Sequence, residues 1–235
     1  MGIGQTISRP LTGISSMATR NVLADLAGEY ERRSGQRVVI ESVGGVAAIQ
    51  RIQDGESFDI VVLADDAIDR LTAAGRVEPG SRVGVARSGI ALAVTAGAPR
   101  PEIVDEASVR EAVLAARSIG YSTGPSGLYL TRLFERWGIA ETIAPRMVQA
   151  PPGVPVGGLV ARGDVEIGFQ QLSELMHLPG IDVIGSLPPD IQLITVFSAA
   201  IGIASTQKEA AKALLAFLGS PETDSVKLAH GMEPA

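Results

Sequence analysis

The chain has 235 residues, of which 46% are hydrophobic, 20% are charged and 4% are aromatic, and its net charge is −6. This length accommodates one or two domains with a full core. The negative charge and the few aromatic residues argue against a general nucleic-acid or anionic-membrane surface. The chain has no cysteine, which excludes disulfides, thiolate catalysis and cysteine-ligated metal. His177 and His230 are far apart in the sequence and lack metal-ligand spacing, so neither a metal nor another cofactor is predicted.

The amino-terminal segment MGIGQTISRPLTGISSMATRNVL lacks the apolar stretch and cleavage site of an export signal. No later run reaches the roughly 18 apolar residues of a membrane span, so membrane insertion is not expected. The sequence as written therefore predicts a cytoplasmic protein. If Met1 begins a trimmed mature chain, we expect a periplasmic protein instead, and only then a permease partner.

Strand and helix patterns alternate along the first third of the chain. Val22, Leu23 and Leu26 recur at helical spacing, and Gly35 is a stop signal. FDIVVLA is a near-continuous apolar run, typical of a parallel strand covered on both faces. The predicted elements in chain order are strand LTGISS, helix MATRNVLADLAGEYERRSG, strand RVVIESV, helix GGVAAIQRIQDG, strand FDIVVLA and helix DDAIDRLTAAG.

The alternation continues to the carboxyl terminus. The last long helix, QKEAAKALLAFLGS, places Ala211, Leu214, Leu215 and Leu218 on one side. The predicted elements before it are strand GVARSGIALAVTAGAP, helix SVREAVLAARS, strand IGYS, helix GPSGLYLTRLFERWGI, helix VPVGGLVARGD, strand VEIGFQQ, the helical turn SELMHL and strand IQLITVFSAAIGIAS.

This order predicts an α/β fold with wound sheets arranged as two lobes. Residues 1–88 and 195–235 are predicted to form lobe I, and residues 89–194 are predicted to form lobe II. Because the chain crosses twice between the lobes, a cleft is expected between them.

Strand–helix junctions are where a wound sheet binds ligands, because free backbone N–H groups and the helix dipole favour an anion there. Each candidate also has a plain structural alternative, a helix cap or a tight turn. Two junctions lie in each predicted lobe, which favours a small anion bound from both sides. The candidates are Ser15 and Ser16, Gly44 and Gly45, Thr123 with Ser126 and Gly127, and Gly153.

Charged residues near the junctions supply further candidates. Asp65 follows the strand FDIVVLA, and it is a candidate general base or ligand-shaping group, with helix capping as the alternative. Arg87 lies near the predicted crossing, where it is a candidate partner for a carboxylate, with a solvated arginine as the alternative. Ser126 lies in GPSG, not in GxSxG, and has no evident histidine partner, which argues against a serine hydrolase.

The order of these segments resembles the type 2 periplasmic-binding-protein fold, in its molybdate-binding receptor-like family. The segments that carry the resemblance are SS before the first helix, RIQDGESFDIVVLADD, GPSGLYLTRLFERWGI, GLVARGDVEIGF and the final helix with LGSPE. The resemblance implies two lobes with a ligand cleft between them. It also implies that serine hydroxyls, backbone N–H groups and a tyrosine hold an oxyanion.

Carried over by position, the first serine of the family falls on Ser15 or Ser16, and a backbone donor falls on Gly153 or Val154. Ser126 takes the place of an alanine in the motif that ends at Tyr129. The serine-rich second junction falls on residues 44–46, where no hydroxyl is present. The late tyrosine of the family falls on Gln171.

These departures predict poor molybdate binding, because hydroxyl donors are missing at Gly45 and Gln171. The same branch is also similar to aconitate isomerase, which moves a double bond in a tricarboxylate by proton abstraction and return. That resemblance implies a carboxylate clamp made by helix amino termini with Arg87 or Arg20, and an acid/base group, for which Asp65 is the candidate. The leading interpretation is therefore an isomerase acting on cis- and trans-aconitate. The alternatives are an oxyanion solute-binding protein of an ABC transporter and a cytoplasmic anion sensor.

Overall fold

The structure, a computed structural model, describes residues 9–235. Residues 1–8, which belong to the predicted lobe I and to the amino-terminal segment on which the prediction of location rests, lie outside the described residues. The strands are β1 (Leu11–Ser16), β2 (Val38–Val43), β3 (Ile60–Ala64), β4 (Val83–Thr95), β5 (Ile119–Tyr121), β6 (Met147–Gln149), β7 (Ile167–Gln171), β8 (Ile181–Ser186), β9 (Ile194–Ile201) and β10 (Glu233–Pro234). The α-helices are α1 (Arg20–Ser34), α2 (Gly45–Gln53), α3 (Asp65–Ala73), α4 (Glu106–Ala115), α5 (Pro125–Arg136), α6 (Ala140–Ile143), α7 (Val156–Ala161), α8 (Leu172–Leu175), α9 (Lys208–Leu218) and α10 (Asp224–Ala229).

The predicted alternation of strands and helices is confirmed. Helix α1 ends where Gly35 adopts φ 73°, a left-handed conformation that closes a helix readily only with glycine. All of β3 is buried, as expected for a strand covered on both faces. Helix α9 buries Ala211, Leu214, Leu215 and Leu218, the side that its periodicity predicted.

Several short elements were not predicted. Strand β6 has only three residues, and strand β8 has no fully buried residue, so neither carries a clear period-2 pattern. Helices α6 and α10 and strand β10 were also missed, since each is too short for helical or strand periodicity to be counted.

The sheet has two groups of strands that meet at β4. In the first group the strand order is β2-β1-β3-β9-β4, with β1, β2 and β3 parallel and β9 antiparallel to its neighbours. In the second group the order is β4-β7-β5-β6, with β5 parallel to both β6 and β7. Strand β8 pairs with the second half of β4, and β10 pairs with the first half.

Strand β4 changes partners between Gly89 and Ile90. Residues 83–89 pair with β9, and residues 90–94 pair with β7. At the change, the amide side chain of Gln192 accepts from Ile90 N at 2.7 Å and donates to Ile90 O at 3.0 Å, as a neighbouring strand would. This change of partners lies next to the predicted boundary between lobe I and lobe II at residues 88 and 89. That boundary, and the predicted return of the chain to lobe I near residue 194, remain proposals.

Separate apolar clusters lie on the two groups of strands. Phe197 belongs to the cluster that packs α1 and α9 against the first group. Phe134 and Phe169 belong to the cluster that packs α4 and α5 against the second group. Of the helices described within residues 9–235, none is long and apolar enough to cross a membrane.

The buried carboxylate of Asp59, just before β3, connects β1 with the segment before α9. It accepts from the Thr12 amide at 2.9 Å, from the Ser205 hydroxyl at 2.7 Å and from Gln207 Nε2 at 3.3 Å, and it pairs with Arg9 at 3.1 Å. Burial raises the pKa of this carboxyl, but the hydrogen bonds from Thr12 and Ser205 and the Arg9 charge together bring it below its ordinary value. The ionised form is therefore the one that holds β1, β3 and the segment before α9 together.

We expect Asp59→Asn to lower the free energy of unfolding by about 2–4 kcal/mol at pH 7, because it removes one partner from a buried charged network. A lowered carboxyl pKa contributes stability above the unfolded-state pKa of about 3.9, and this contribution is lost as pH falls below it. The deficit should therefore shrink in urea denaturation at pH 3. Asp190→Asn, at an exposed position, is the control. Equal losses for the two variants would contradict this role.

Candidate functional site

A cavity of about 620 Å³ lies at the carboxyl ends of the parallel strands. Segments that follow β1, β2 and β3 line one wall, and segments that follow β5, β6 and β7 line the other. The start of β9 lies between them. This volume is within the range of about 300–1,000 Å³ that is usual for small-molecule sites, and the position is the usual one in wound sheets.

Most of the residues predicted for the site line this cavity. They come from all four predicted junctions and from the end of β7. The predicted residues in the lining are Ser16, Gly44, Gly45, Asp65, Thr123, Ser126, Gly153, Val154 and Gln171.

Four predicted residues do not line the cavity. Ser15 is fully buried, and its hydroxyl lies 2.8 Å from that of Ser42. It points away from the cavity that Ser16 lines, because neighbouring residues of a strand point to opposite faces. Arg20 is exposed and lies outside the lining. Arg87 Nε donates to Glu233 Oε2 at 2.9 Å, within the pairing of β4 and β10. Neither arginine therefore takes part in the predicted carboxylate clamp.

Gly127, the fourth, has a packing role. A Cβ atom at this position would lie 1.8 Å from the carbonyl oxygen of Ser122, so only glycine lets α5 approach the loop before it. The residue therefore positions the amino terminus of α5 without contacting the cavity.

Ser16 and Ser126 line the cavity on its two walls, and both side chains are buried. Ser16 Oγ is buried and has no hydrogen-bond partner among the described residues. On the other wall, Ser126 is 1% exposed and its Oγ lies 3.0 Å from Ser122 Oγ. A buried hydroxyl without a partner costs stability, so Ser16 is a position where a ligand oxygen would be stabilised.

Helices α2 and α5 begin at the cavity, as does α3, whose first turn is acidic. No side chain caps the amino terminus of α2 at Gly44 or that of α5 at Gly124. Pro125 has no N–H, and the amides of Ser126 and Gly127 in the first turn of α5 have no partner within the helix. The positive ends of both helix dipoles therefore favour negative charge between the two walls.

One of the expected backbone donors is occupied. The Val154 amide, predicted as a backbone donor, donates to Pro151 O at 3.0 Å, so it belongs to a turn. Gly153 lines the cavity beside it with φ 79°, a conformation that favours glycine.

Gln171 is 2% exposed and is held by its neighbours. Its Nε2 donates to Ser88 O at 2.9 Å and to Gly89 O at 3.2 Å, and its Oε1 accepts from Thr195 Oγ1 at 2.8 Å. Where the resemblance implies a tyrosine hydroxyl for the ligand, this chain has an amide that joins β7, β4 and β9 instead.

Asp65 lines the cavity, but both of its oxygens are engaged. Oδ1 accepts from Ser198 Oγ at 2.5 Å, and Oδ2 forms an ion pair with Arg82. These contacts join the start of α3 to β9 and to the segment before β4. The carboxylate therefore has a structural role that the sequence pattern did not reveal.

The sequence pattern did not single out the two arginines of the cavity. Arg70 on α3 and Arg132 on α5 line opposite walls. Arg70 Nη2 pairs with Asp66 Oδ2 at 2.8 Å, whereas Arg132 has no hydrogen bond or ion pair within residues 9–235. Helical spacing was the available signal, because Arg132 follows Pro125 by two turns and so lies on the same face of α5.

Glu174, on α8, is the other residue that was missed. It is partly buried at the cavity wall, and its Oε2 accepts from Gln170 Nε2. Burial raises the pKa of the Glu174 carboxyl to about 7, and the hydrogen bond from Gln170 acts in the opposite direction. Its sequence signal was weak, because QQLSEL reads as an ordinary helical turn. Within residues 9–235, no three His, Asp or Glu side chains come together as a metal ion would require.

Comparison with known proteins gives one matching family model, which covers residues 11–233 and is described as bacterial extracellular solute-binding protein. Aconitate isomerase from a Pseudomonas species is 36% identical over 230 residues, which are 95% of this chain and 87% of that protein. Molybdate-binding protein ModA from Azotobacter vinelandii is 26% identical over 216 residues, which are 89% of this chain and 84% of that protein.

Solved structures confirm the predicted fold. The periplasmic molybdate-binding protein of Azotobacter vinelandii superposes with a TM-score of 0.80 at 23% identity, over 94% of this chain and 98% of that one. The tungstate-binding protein TupA of Desulfovibrio alaskensis G20 gives 0.65 at 15% identity, over 93% of each chain. The chain therefore has the two-lobed type 2 periplasmic-binding-protein fold, with a ligand cleft between the lobes.

We expect Gly127→Ala to lower the free energy of unfolding by about 2–3 kcal/mol, because the added methyl group collides with the Ser122 backbone. Gly124→Ala, in the same junction, is the matched control, since its Cβ would lie 3.6 Å from the nearest atom. Urea denaturation of both variants measures the difference. If Gly127→Ala were as stable as the control, the close approach of α5 to this loop would be contradicted.

Proposed function

We propose that this chain, which belongs to the family of bacterial extracellular solute-binding proteins, isomerises a small polycarboxylate in the cleft between its lobes. The reaction we name is the interconversion of cis- and trans-aconitate. The relative that is 36% identical over nearly the whole chain supports this choice. The family description also favours an exported protein over the cytoplasmic alternative.

The observation that carries the proposal is the position of Arg132, a guanidinium group that lines the cavity without any partner in the described chain. Arg70 lies on the opposite wall, and the open ends of α2 and α5 add positive potential between them. A polycarboxylate carries several charges separated by carbon atoms, and it suits cations and N–H donors spread over two walls.

The size and donors of the cavity support a carboxylate over a tetrahedral oxyanion. A four-oxygen anion fills on the order of 100 Å³, a few water volumes, whereas this cavity has about 620 Å³. Gly44 and Gly45 bring no hydroxyl, Gln171 is engaged with Ser88, Gly89 and Thr195, and the Val154 amide is used in a turn. Fewer donors are therefore available to surround a compact oxyanion.

The chemistry of the proposed isomerisation is a proton shift. A proton leaves the methylene carbon next to the double bond, and the electron pair spreads over the adjoining carbons and a carboxylate. A proton then returns to the former alkene carbon, so the double bond moves and nothing is oxidised or reduced. Arginines and helix amino termini around the carboxylates stabilise the charge that develops.

A binding protein for an oxyanion is the second candidate. Ser16 and Ser126 favour it, because they supply one buried hydroxyl from each wall. The 26% identical molybdate-binding relative also supports this candidate, which would require a permease partner.

A ligand screen with turnover measured in the same samples separates the candidates. Calorimetric titration should show binding of cis- and trans-aconitate, with citrate as a non-reacting tricarboxylate. NMR of the same samples should show the two aconitates approaching one equilibrium mixture. Tight binding of molybdate or tungstate, with neither binding nor turnover of the aconitates, would establish the oxyanion receptor instead.

We expect Gly45→Trp to abolish aconitate binding while the melting temperature stays within a few degrees. Gly45 lines the cavity, its φ is not in the left-handed region, and no atom lies within 4 Å of an added Cβ, so the indole projects into the binding space. Gly28→Trp is the matched control, because Gly28 on α1 is equally open and lies outside the lining. Unchanged affinity in Gly45→Trp would show that ligands bind elsewhere.

A further inference from the structure

We infer that Glu174 is the group that removes and returns the proton in the proposed isomerisation, and that Gln170 positions it. This inference rests on the proposed function. It replaces Asp65, the acid/base candidate of the sequence analysis, with a residue that the sequence pattern did not single out.

The lining of the cavity leaves few groups that can accept a proton. Asp65 is held by Arg82 and Ser198, and Asp66 is paired with Arg70. The other titratable residues of the lining, apart from Glu174, are Tyr129, Arg70 and Arg132.

The remaining groups also fail as bases. The Tyr129 hydroxyl donates to Ile191 O at 2.9 Å, and guanidinium groups have no lone pair for a proton. No histidine, lysine or cysteine is present among the described residues that line the cavity. Glu174 is therefore the one carboxyl group of this lining that has no cationic partner in the described chain.

Gln170 fixes the orientation of Glu174. The Gln170 Oε1 atom accepts from Val156 N at 2.8 Å and from Gly157 N at 3.4 Å, so the side chain is anchored on the first turn of α7. The amide nitrogen of Gln170 then donates to Glu174 Oε2. Because Gln170 is 3% exposed and lies at the end of β7, this arrangement is rigid.

The second oxygen of Glu174 is available for chemistry. Within the described chain, Oε1 has no hydrogen-bond partner, whereas Oε2 is held. One oxygen fixed and one free is the arrangement that a general base needs, because orientation and access are both required.

The raised pKa of Glu174 suits a group that must first accept a proton from the substrate and then return it. Since burial raises the pKa of this carboxyl to about 7, the ionised and protonated forms are both populated near neutral pH. The ionised carboxylate takes the proton from the methylene carbon, and the carboxylic acid delivers it to the former alkene carbon. Glu174 ends the cycle ionised, and no other reactant is consumed.

The central test is Glu174→Gln, which keeps the shape of the side chain and its contact with Gln170 but cannot accept the proton. We expect kcat for aconitate interconversion to fall by at least about 100-fold, while the Kd for trans-aconitate changes by less than about threefold. Glu135→Gln, at an exposed position of α5 outside the cavity lining, is the matched control and should retain full turnover.

The pH profile distinguishes catalysis from mere structural support. Turnover of the unaltered protein should rise as pH increases through about 7, where Glu174 becomes ionised. Gln170→Glu retains the acceptor for the Val156 amide but replaces the donor to Glu174 by a like charge. The profile of this variant should therefore shift to higher pH, and the Kd for trans-aconitate should rise, because the substitution adds a carboxylate to the lining of an anion cavity.

The outcomes separate the inference from the proposed function. If the unaltered protein interconverts the aconitates and Glu174→Gln does so at a similar rate, only the assignment of Glu174 is overturned. Loss of turnover in Asp65→Asn together with retention in Glu174→Gln would return the role to Asp65. If the unaltered protein neither binds nor interconverts the aconitates, the proposed function fails, and the inference fails with it.

Discussion

The backbone pairing of β4 is the constraint on which the rest of the structure depends. Residues 83–89 pair with β9 and residues 90–94 pair with β7, so one continuous strand belongs to both groups of strands. Two amide side chains, one buried and one partly buried, complete the pairing where the partners change. Gln192 bonds both backbone atoms of Ile90, and Gln171 joins the carbonyls of Ser88 and Gly89 to Thr195. Since unpaired backbone groups in the interior are costly, these amides hold the crossing in one arrangement.

The polar part of the cleft lining combines hydroxyl groups, helix amino termini and a few charged side chains among many apolar residues. Ser16 and Ser126 project from opposite walls, and the amino termini of α2 and α5 are open beside them. Such a lining favours a bound anion even though the protein as a whole is negative, because the net charge of the surface does not set the local potential. Arg132 adds a guanidinium group without a partner in the described chain, whereas the charge of Arg70 is paired with Asp66.

The relatives of this chain include molybdate-binding proteins and an aconitate isomerase, so the fold alone does not decide between binding and catalysis. A receptor needs only complementary donors, whereas an isomerase also needs a group that exchanges a proton inside the cavity. In this chain Asp65 forms an ion pair with Arg82. Glu174 also lines the cavity, but within the described chain it has no cationic side chain as a partner. The proposed chemistry therefore rests on a difference in the partners of two carboxyl groups that line the same space.

The sequence by itself determined the order of strands and helices, the buried faces of β3 and α9 and most of the residues at the four junctions. These features depend on local periodicity and on turn residues such as Gly35, which act over only a few positions. Only the tertiary structure decided which of Ser15 and Ser16 faces the cavity. It also decided that Arg87 pairs with Glu233, and that Glu174 is desolvated beside Gln170. The physical reason is that burial, ion pairing and the direction of a side chain depend on residues far away in the chain, which strand pairing brings into contact.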